Sequence, residues 1–295
     1  MSAGASTAVR PPGGLWRDAW RRLAKNRAAT VSLWVFAGIV LACGIGPMIG
    51  GWLGIDATAI NTDIAGHAPS SGHWFGTDTL GRDMLMRTLT GGRIAIAVAV
   101  LSTIVALIIG VSWGAVAAYA GGRIDFVMMR IVDVLYGFPT VAFVIVIMAV
   151  LGTNSLLVLF ALIGGISWLT MARIARGAVL TLRNREFVEA ARAIGVKPLR
   201  ILFRHILPNA SGPIIIYATL ALPAVMLTEA FLSFLGLGVQ APLASWGTLV
   251  TEGSSQILVY PWLLLFPALV MSTSILCLNF VGDGLRDALD PREQR

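Results

Sequence analysis

Several long intervals of this sequence contain no Asp, Glu, Lys or Arg: residues 28–55, 94–122, 134–172, 206–228 and 253–282. A helix crossing the hydrocarbon core of a bilayer needs about 20 consecutive apolar residues. In lipid only a structure that satisfies its own backbone hydrogen bonds can span. The interval 134–172 is too long for one crossing. The turn-forming Gly-Thr-Asn-Ser at 152–155 divides it into spans near 131–151 and 156–174. The interval from 206 starts a fifth span interrupted by Pro213, Pro223 and then Glu229, and a sixth lies near 259–280. The expectation is an all-α membrane protein with six transmembrane helices. Composition agrees: 57% of the residues are hydrophobic and 13% charged, against about 25% charged in soluble domains.

The placement of positive charge sets the orientation. With the amino terminus inside, the inner segments carry Arg10, Arg17, Arg21, Arg22, Lys25, Arg27, Arg123 and Arg130. They also carry Arg173, Arg176, Arg183, Arg185, Arg192, Lys197, Arg200 and Arg204, and finally Arg286, Arg292 and Arg295. Only Arg82, Arg87 and Arg93 remain outside, so 19 of the 22 basic residues lie on one side. The positive-inside rule then makes both termini cytoplasmic. The net charge of +7 follows this topology and does not indicate nucleic acid.

Chemistry is sparse. Cys43 and Cys277 each lie in an apolar run as packing or lipid-facing residues. His67, His73 and His205 are scattered, so no metal site is expected. No phosphate-binding G-x-x-x-x-G-K-[ST] loop, G-x-S-x-G or H-E-x-x-H motif is present. The chain is therefore expected not to be an enzyme. The apolar stretch after Arg27 is too long for a cleaved signal and should remain as an anchor. Before it, the Gly-, Ser- and Pro-rich start reads as disordered, and residues 15–23 as an amphipathic segment on the inner leaflet.

The inner segment 186–207 reads as two short helices. Gly195 ends the first and Pro198 opens the second. Leu199, Leu202, Phe203 and Ile206 form an apolar stripe at i, i+3, i+4 and i+7, opposite Lys197, Arg200 and Arg204. Pro208 is expected to break the chain before the fifth span. Such an element is either a basic loop that only fixes topology or a docking element for a cytosolic partner.

Glu189-Ala190-Ala191, then Gly195, then His205-Ile206-Leu207-Pro208 resembles the EAA loop of ABC importer permeases, with histidine where isoleucine is usual. HWFGTDTLGRDMLMRTLTGGRIAI (73–96), SWLTMARIARG (167–177), FLSFLGLGVQAPLASWGTL (231–249) and NFVGDGLRDALDP (279–291) resemble the peptide and nickel branch of that family, most nearly its oligopeptide C subunit. The resemblance runs from about residue 20 to 291. It implies the type-1 permease fold, with an amino-terminal segment, first span (about 29–53) and outer loop in residues 1–92. A five-helix core follows in 93–284 with its coupling loop at 186–209, and a cytoplasmic tail in 285–295.

It also implies that Glu189, Ala190, Ala191, Gly195, His205, Leu207 and Pro208 form the ATPase-coupling element. ATP and Mg would be used by two separate cytosolic ATPase subunits, with no cofactor on this chain. The other implied partners are a homologous B-type permease subunit and an extracytoplasmic substrate-binding protein, in the inner membrane of a bacterium. Oligopeptides are the implied cargo; dipeptides, glutathione, murein peptides and nickel stay open. A self-powered secondary transporter is the competing class, supported only by the intramembrane Glu229.

Glu229 is either structural or, with Pro139 and Trp168, part of the translocation pathway; Pro139 and Pro223 should interrupt the third and fifth spans. The outer segment 56–92, with Asp56, Asp63, Asp78 and Asp83 against Arg82 and Arg87, is either a binding-protein contact or a cap on its own bundle. Asp283, Arg286 and Asp287 read as a solvated helix end, stopped at Asp290-Pro291.

Overall fold

The computed structural model describes residues 15–152 and 155–289. The expected disordered start, Thr153-Asn154 of the dividing turn and the Asp290-Pro291 stop lie outside them. The described residues form eleven α-helices and no strand ladder: α1 Leu15–Leu23, α2 Arg27–Trp52, α3 Met84–Ala120, α4 Gly122–Tyr136, α5 Thr140–Leu151, α6 Leu156–Leu182, α7 Glu186–Ala193, α8 Pro198–Ile201, α9 Leu207–Phe234, α10 Trp246–Ser255 and α11 Trp262–Leu289. Among them α2, α3, α6, the run 198–234 containing α9, and α11 are long and apolar enough to cross a membrane. The sixth crossing is the pair α4 and α5, bent by 80°.

The third span, placed at 131–151, starts earlier, at Gly122, and is interrupted at Pro139 as expected. Pro139 occupies the N-cap of α5, where its missing N–H is harmless, and it disfavours helical backbone at Phe138 before it. Pro223, by contrast, does not interrupt its span: it is buried within an unbroken α9.

α3 begins ten residues before the charge-free interval and contains Arg87 and Arg93, so the boundary expected between 92 and 93 falls inside it. Its 37 residues extend about 55 Å at 1.5 Å per residue, well beyond a hydrocarbon core of about 30 Å. α3 packs most extensively against α6, and small residues explain why. A Cβ at Gly164 would sit 2.7 Å from the Ser102 carbonyl oxygen, and one at Gly110 2.6 Å from Met171 Cβ. Without a hydrophobic force between helices in lipid, such close backbone approach supplies the packing.

The central core joins α2, α3, α5, α6, α9, α10 and α11 around Ala95, Val144, Leu159, Val225, Leu232, Trp246 and Leu278. Cys43 and Cys277 are buried free thiols within it or beside it. α1 does not lie free on a leaflet. Its Ala19 and Leu23 pack on Ala29 and Ala288, at the start of α2 and the end of α11, while Trp20 stays exposed. Asp283, Arg286 and Asp287 are exposed, as a solvated helix end should be.

Candidate functional site

Three regions concentrate polar chemistry: the helical pair α7–α8, an outer cap, and a groove between α5, α6 and α9.

α7 starts with Glu186 and Glu189 in its first turn and has Arg192 in its last, the charge order that a helix dipole favours. It ends in a Schellman turn: Gly195 N–H donates to Arg192 O at 3.0 Å and Val196 N–H to Ala191 O at 3.1 Å. Gly195 has φ +75° with nothing within 4 Å of a Cβ, so backbone conformation alone selects glycine there. Pro198 then takes the first turn of α8. The link between the two helices is a hydrogen-bonded corner.

Beyond α8 the chain does not break at Pro208, as expected from sequence. A π turn over Leu202–Ile206 continues the helix, with Leu207 N–H donating to Leu202 O, and Pro208 falls in the first turn of α9. A proline cannot supply the usual i→i−4 bond, and the wider turn absorbs that loss. It also splits the expected apolar stripe. Ile201, Leu202 and Ile206 are fully buried, whereas Leu199 and Phe203 are 66% and 57% exposed.

The buried side of the pair, Val188, Ala191, Ile201, Leu202 and Ile206, rests on Ala115 and Ala118 of α3 and Val179 of α6. Arg183 ties the same ends together, donating to Ala118 O at 2.7 Å. The outward side of α7 carries Phe187, Glu189, Ala190 and Ile194. Of the sequence-named residues, Glu189, Ala190, Gly195 and Pro208 are therefore exposed, His205 and Leu207 are half-buried, and Ala191 turns inward onto the bundle. Ala191 is 6% exposed and packs with Ala115, Ala118 and Val179.

The outer segment folds as a cap on its own bundle. Asp78 accepts from the N–H groups of Leu80 and Arg82, from Arg82 Nε at 2.6 Å and from Arg87 Nη1 at 2.7 Å. Arg87 also reaches Glu252 of α10 at 2.9 Å. Asp83 caps α3 by accepting from Met86 N–H at 2.8 Å, and faces His73 Nδ1 at 2.8 Å. The Thr77 carbonyl accepts from Trp262 Nε1 at 3.2 Å. The Gly-Thr-Asp-x-x-Gly-Arg-Asp signature is thus the wiring that starts α3 and pins it to α10 and α11.

Glu229 is 1% exposed. Its Oε1 accepts from Ser233 at 2.8 Å and from Ser245 at 2.6 Å, and Ser245 is the N-cap of α10 in a capping box with Thr248. The Glu229 carboxyl thus lies at the N-terminus of α10 and ties α9 to α10. Trp246 beside it is fully buried and donates Nε1–H to Thr88 O at 2.8 Å.

The open groove between α5, α6 and α9 has a cavity volume of about 200 Å³. Its lining includes six hydroxyl side chains, Tyr136, Thr140, Ser167, Thr170, Tyr217 and Thr228, and no charged residue. Neither Glu229 nor Pro139 lines it. Trp168 lines a neighbouring apolar depression with Phe138 and Phe143 and meets Trp113 edge-on at 5.3 Å. The hydroxyls escaped sequence reading because each alone is an ordinary residue of a membrane helix; Ser167 and Thr170 at i, i+3 on α6 and Tyr217 and Thr228 at i, i+11 on α9 were the available signal. Beside Tyr136 lies an ion cluster joining α4 and α6. Arg176 binds Asp125 through two bonds of 2.6 and 2.7 Å; Arg173 reaches Asp133 at 2.9 Å and stacks on the Tyr136 ring at 4.2 Å.

Comparison with known proteins adds a family to this geometry. Residues 110–295 match the family described as binding-protein-dependent transport system inner membrane component. Residues 14–60 match the N-terminal TM domain of oligopeptide transport permease C. The oligopeptide transport system permease protein OppC of Haemophilus influenzae is 45% identical over 280 residues, 95% of this chain and 89% of that protein. Its Escherichia coli counterpart is 48% identical over 284 residues, 95% and 92% of the two chains. The dipeptide transport system permease protein DppC of Bacillus subtilis is 43% identical over 293 residues, 99% and 90%. Among solved structures, an inward-facing form of the MetNI methionine ABC transporter superposes with a TM-score of 0.57 at 17% identity, covering 70% of this chain and 98% of that one. That likeness bears on fold alone.

Proposed function

The chain belongs to the family of binding-protein-dependent transport system inner membrane components, and from that membership we propose that it carries oligopeptides across the cytoplasmic membrane as the C-type permease subunit of an ATP-driven importer. It is a multi-pass inner-membrane permease. Membership implies ATPase and substrate-binding partners. We assign the energy step to two separate cytosolic ATPase chains, which would use ATP and Mg, and the second half of the pathway to a homologous B-type permease. The basic-residue asymmetry supports cytoplasmic termini and a cytoplasmic α7–α8 pair.

One observation carries the coupling reading. The α7–α8 pair presents exposed Phe187, Glu189, Ala190 and Ile194 outward while seating its other side on the inner ends of α3 and α6. A rigid corner so placed transmits a push as rigid-body motion. Glu189 is available to a basic residue on an ATPase, and Ala190 permits close approach. Gly195 holds the corner, and His205, Leu207 and Pro208 continue it into α9.

Co-reconstitution of this chain with the B-type permease, the two ATPase chains and the binding protein in proteoliposomes tests this. Labelled oligopeptide should accumulate only with ATP and all components present. Uptake by this chain alone on a proton gradient would assign it to self-powered transporters. Dipeptides are the second reading, favoured by the 43% identity to DppC; a panel of peptides from two to six residues separates the two.

A further inference from the structure

We propose that the groove between α5, α6 and α9 holds the peptide main chain in transit, recognising backbone N–H groups through hydroxyl oxygens and leaving cargo side chains unread. The inference rests on the peptide reading above and adds the site and its chemistry. Polar groups on membrane helices face protein or water in preference to lipid. Here six hydroxyls from four helices, with Tyr136 at the end of α4 joining those of α5, α6 and α9, converge on one groove. Ser167 donates its proton to Ile163 O at 2.8 Å and Thr228 to Ala224 O at 2.8 Å. Their protons are engaged along their own helices, so each oxygen offers the groove lone pairs. Acceptors suit peptide N–H groups and a terminal ammonium.

The lining contains no carboxylate, imidazole or thiol, the ligands a divalent metal cargo would require. Two stripes set the length. Ile163, Ser167 and Thr170 lie at i, i+4 and i+7 on α6; Tyr217, Ala221, Ala224 and Thr228 lie at i, i+4, i+7 and i+11 on α9. The α9 stripe runs about 16 Å at 1.5 Å per residue, the reach of about five residues of extended peptide at 3.3 Å each. The two alanines leave width between the phenol of Tyr217 and the hydroxyl of Thr228. At the Tyr136 end, the Arg173–Asp133 pair has side chains 39% and 47% exposed. Both signs of charge thus stand open to the termini of a zwitterionic cargo.

The test uses the assembled transporter in proteoliposomes, with wild type, Ser167→Ala, Thr228→Val and the double variant, and alanine peptides of two to six residues. Each lost acceptor should raise KM about five-fold, the worth of about one net hydrogen bond. The penalty of the double variant should grow with peptide length up to about five residues. A peptide N-methylated at its central amides should bind weakly to wild type and lose nothing further in the double variant. In parallel, Ser167→Cys and Thr228→Cys should react with a water-soluble maleimide and be protected by saturating peptide. Unchanged KM in both variants overturns the inference. So does crosslinking of either cysteine to the neighbouring permease subunit with no maleimide reaction, because the groove would then be filled by protein. No peptide uptake by the wild-type complex overturns the peptide reading and this inference together, whereas uptake with an indifferent groove overturns only the inference.

Discussion

Arg87 provides a quantitative test of how the outer cap is held. Its side chain and that of Asp78 are each 4% exposed and lie 2.7 Å apart, so both charges have left water. Its second partner, Glu252, is 51% exposed at 2.9 Å. Breaking a buried ion pair by removing one partner costs about 3–5 kcal/mol, because the remaining charge is stranded. An exposed pair is worth about 0–1 kcal/mol. Asp78 would still accept from Arg82 Nε and from two backbone N–H groups, so Arg87→Met belongs at the low end, about 3 kcal/mol. Asp78→Ala should cost more, since it strands Arg82, leaves Arg87 only the exposed Glu252 and loosens the turn that starts α3. Glu252→Gln should lie within about 1 kcal/mol of wild type. Unfolding of the purified protein in nanodiscs, followed by loss of the monodisperse fraction with rising denaturant, orders the three. Equal destabilisation by Glu252→Gln and Arg87→Met would refute the reasoning, because burial would then not decide the cost.

Gly195→Val places a β-branched residue at φ +75°, a strain of about 1–2 kcal/mol; expression and folding should persist while ATP hydrolysis proceeds without labelled-peptide uptake. Ala191→Leu should destabilise by about 1–3 kcal/mol through overpacking against the ends of α3 and α6, whereas Ala190→Leu, on the exposed side, should leave stability unchanged and weaken co-purification with the ATPase. Trp246→Ala should cost about 3–5 kcal/mol for the vacated volume, read as reduced thermal stability in the same nanodiscs.

The crossings were legible because absence of charge over about 20 residues leaves a chain few alternatives to spanning. Reading failed where charges are answered elsewhere in the fold. α3 starts at Met84 because Arg87 is neutralised by Asp78 and Glu252, partners a linear scan does not pair with it. α6 runs on to Leu182 past Arg173 and Arg176 because Asp133 and Asp125 of α4 meet them. Pro139 announced the bend between α4 and α5, since proline at a helix start is a local rule. The π turn at 202–206 carries no local signature, so the stripe of Leu199, Leu202, Phe203 and Ile206 was assigned one face and has two. The recognised signatures proved informative about construction: Gly-Thr-Asp-x-x-Gly-Arg-Asp is cap wiring, and Ser245-Trp246 is the joint between α9 and α10. The hydroxyl groove needed four helices brought together before it existed as a feature.

These parts connect mechanically. The helical run 198–234 is one rod of about 55 Å at 1.5 Å per residue, with the proposed coupling element at one end and Tyr217 and Thr228 of the groove along its length. α6, the second wall, carries Ser167 and Thr170, and its far end supplies Val179 to the seat beneath α7. A force on α7–α8 therefore enters both walls directly, through the Schellman corner and the buried seat. The third wall is different. α5 follows the 80° bend and packs far less extensively against α6 than α3 does, and α4 is fastened to α6 by the ion pairs of Asp125 and Asp133. In the proposed coupling, two walls are driven from one lever and the third follows the bend, which would give relative motion across the groove without unfolding any helix. Close-packed α3 and α6 cannot slide past each other continuously, so displacement at the lever favours a change between discrete arrangements. Wide and narrow states of one groove are what alternating access requires of this half of the permease.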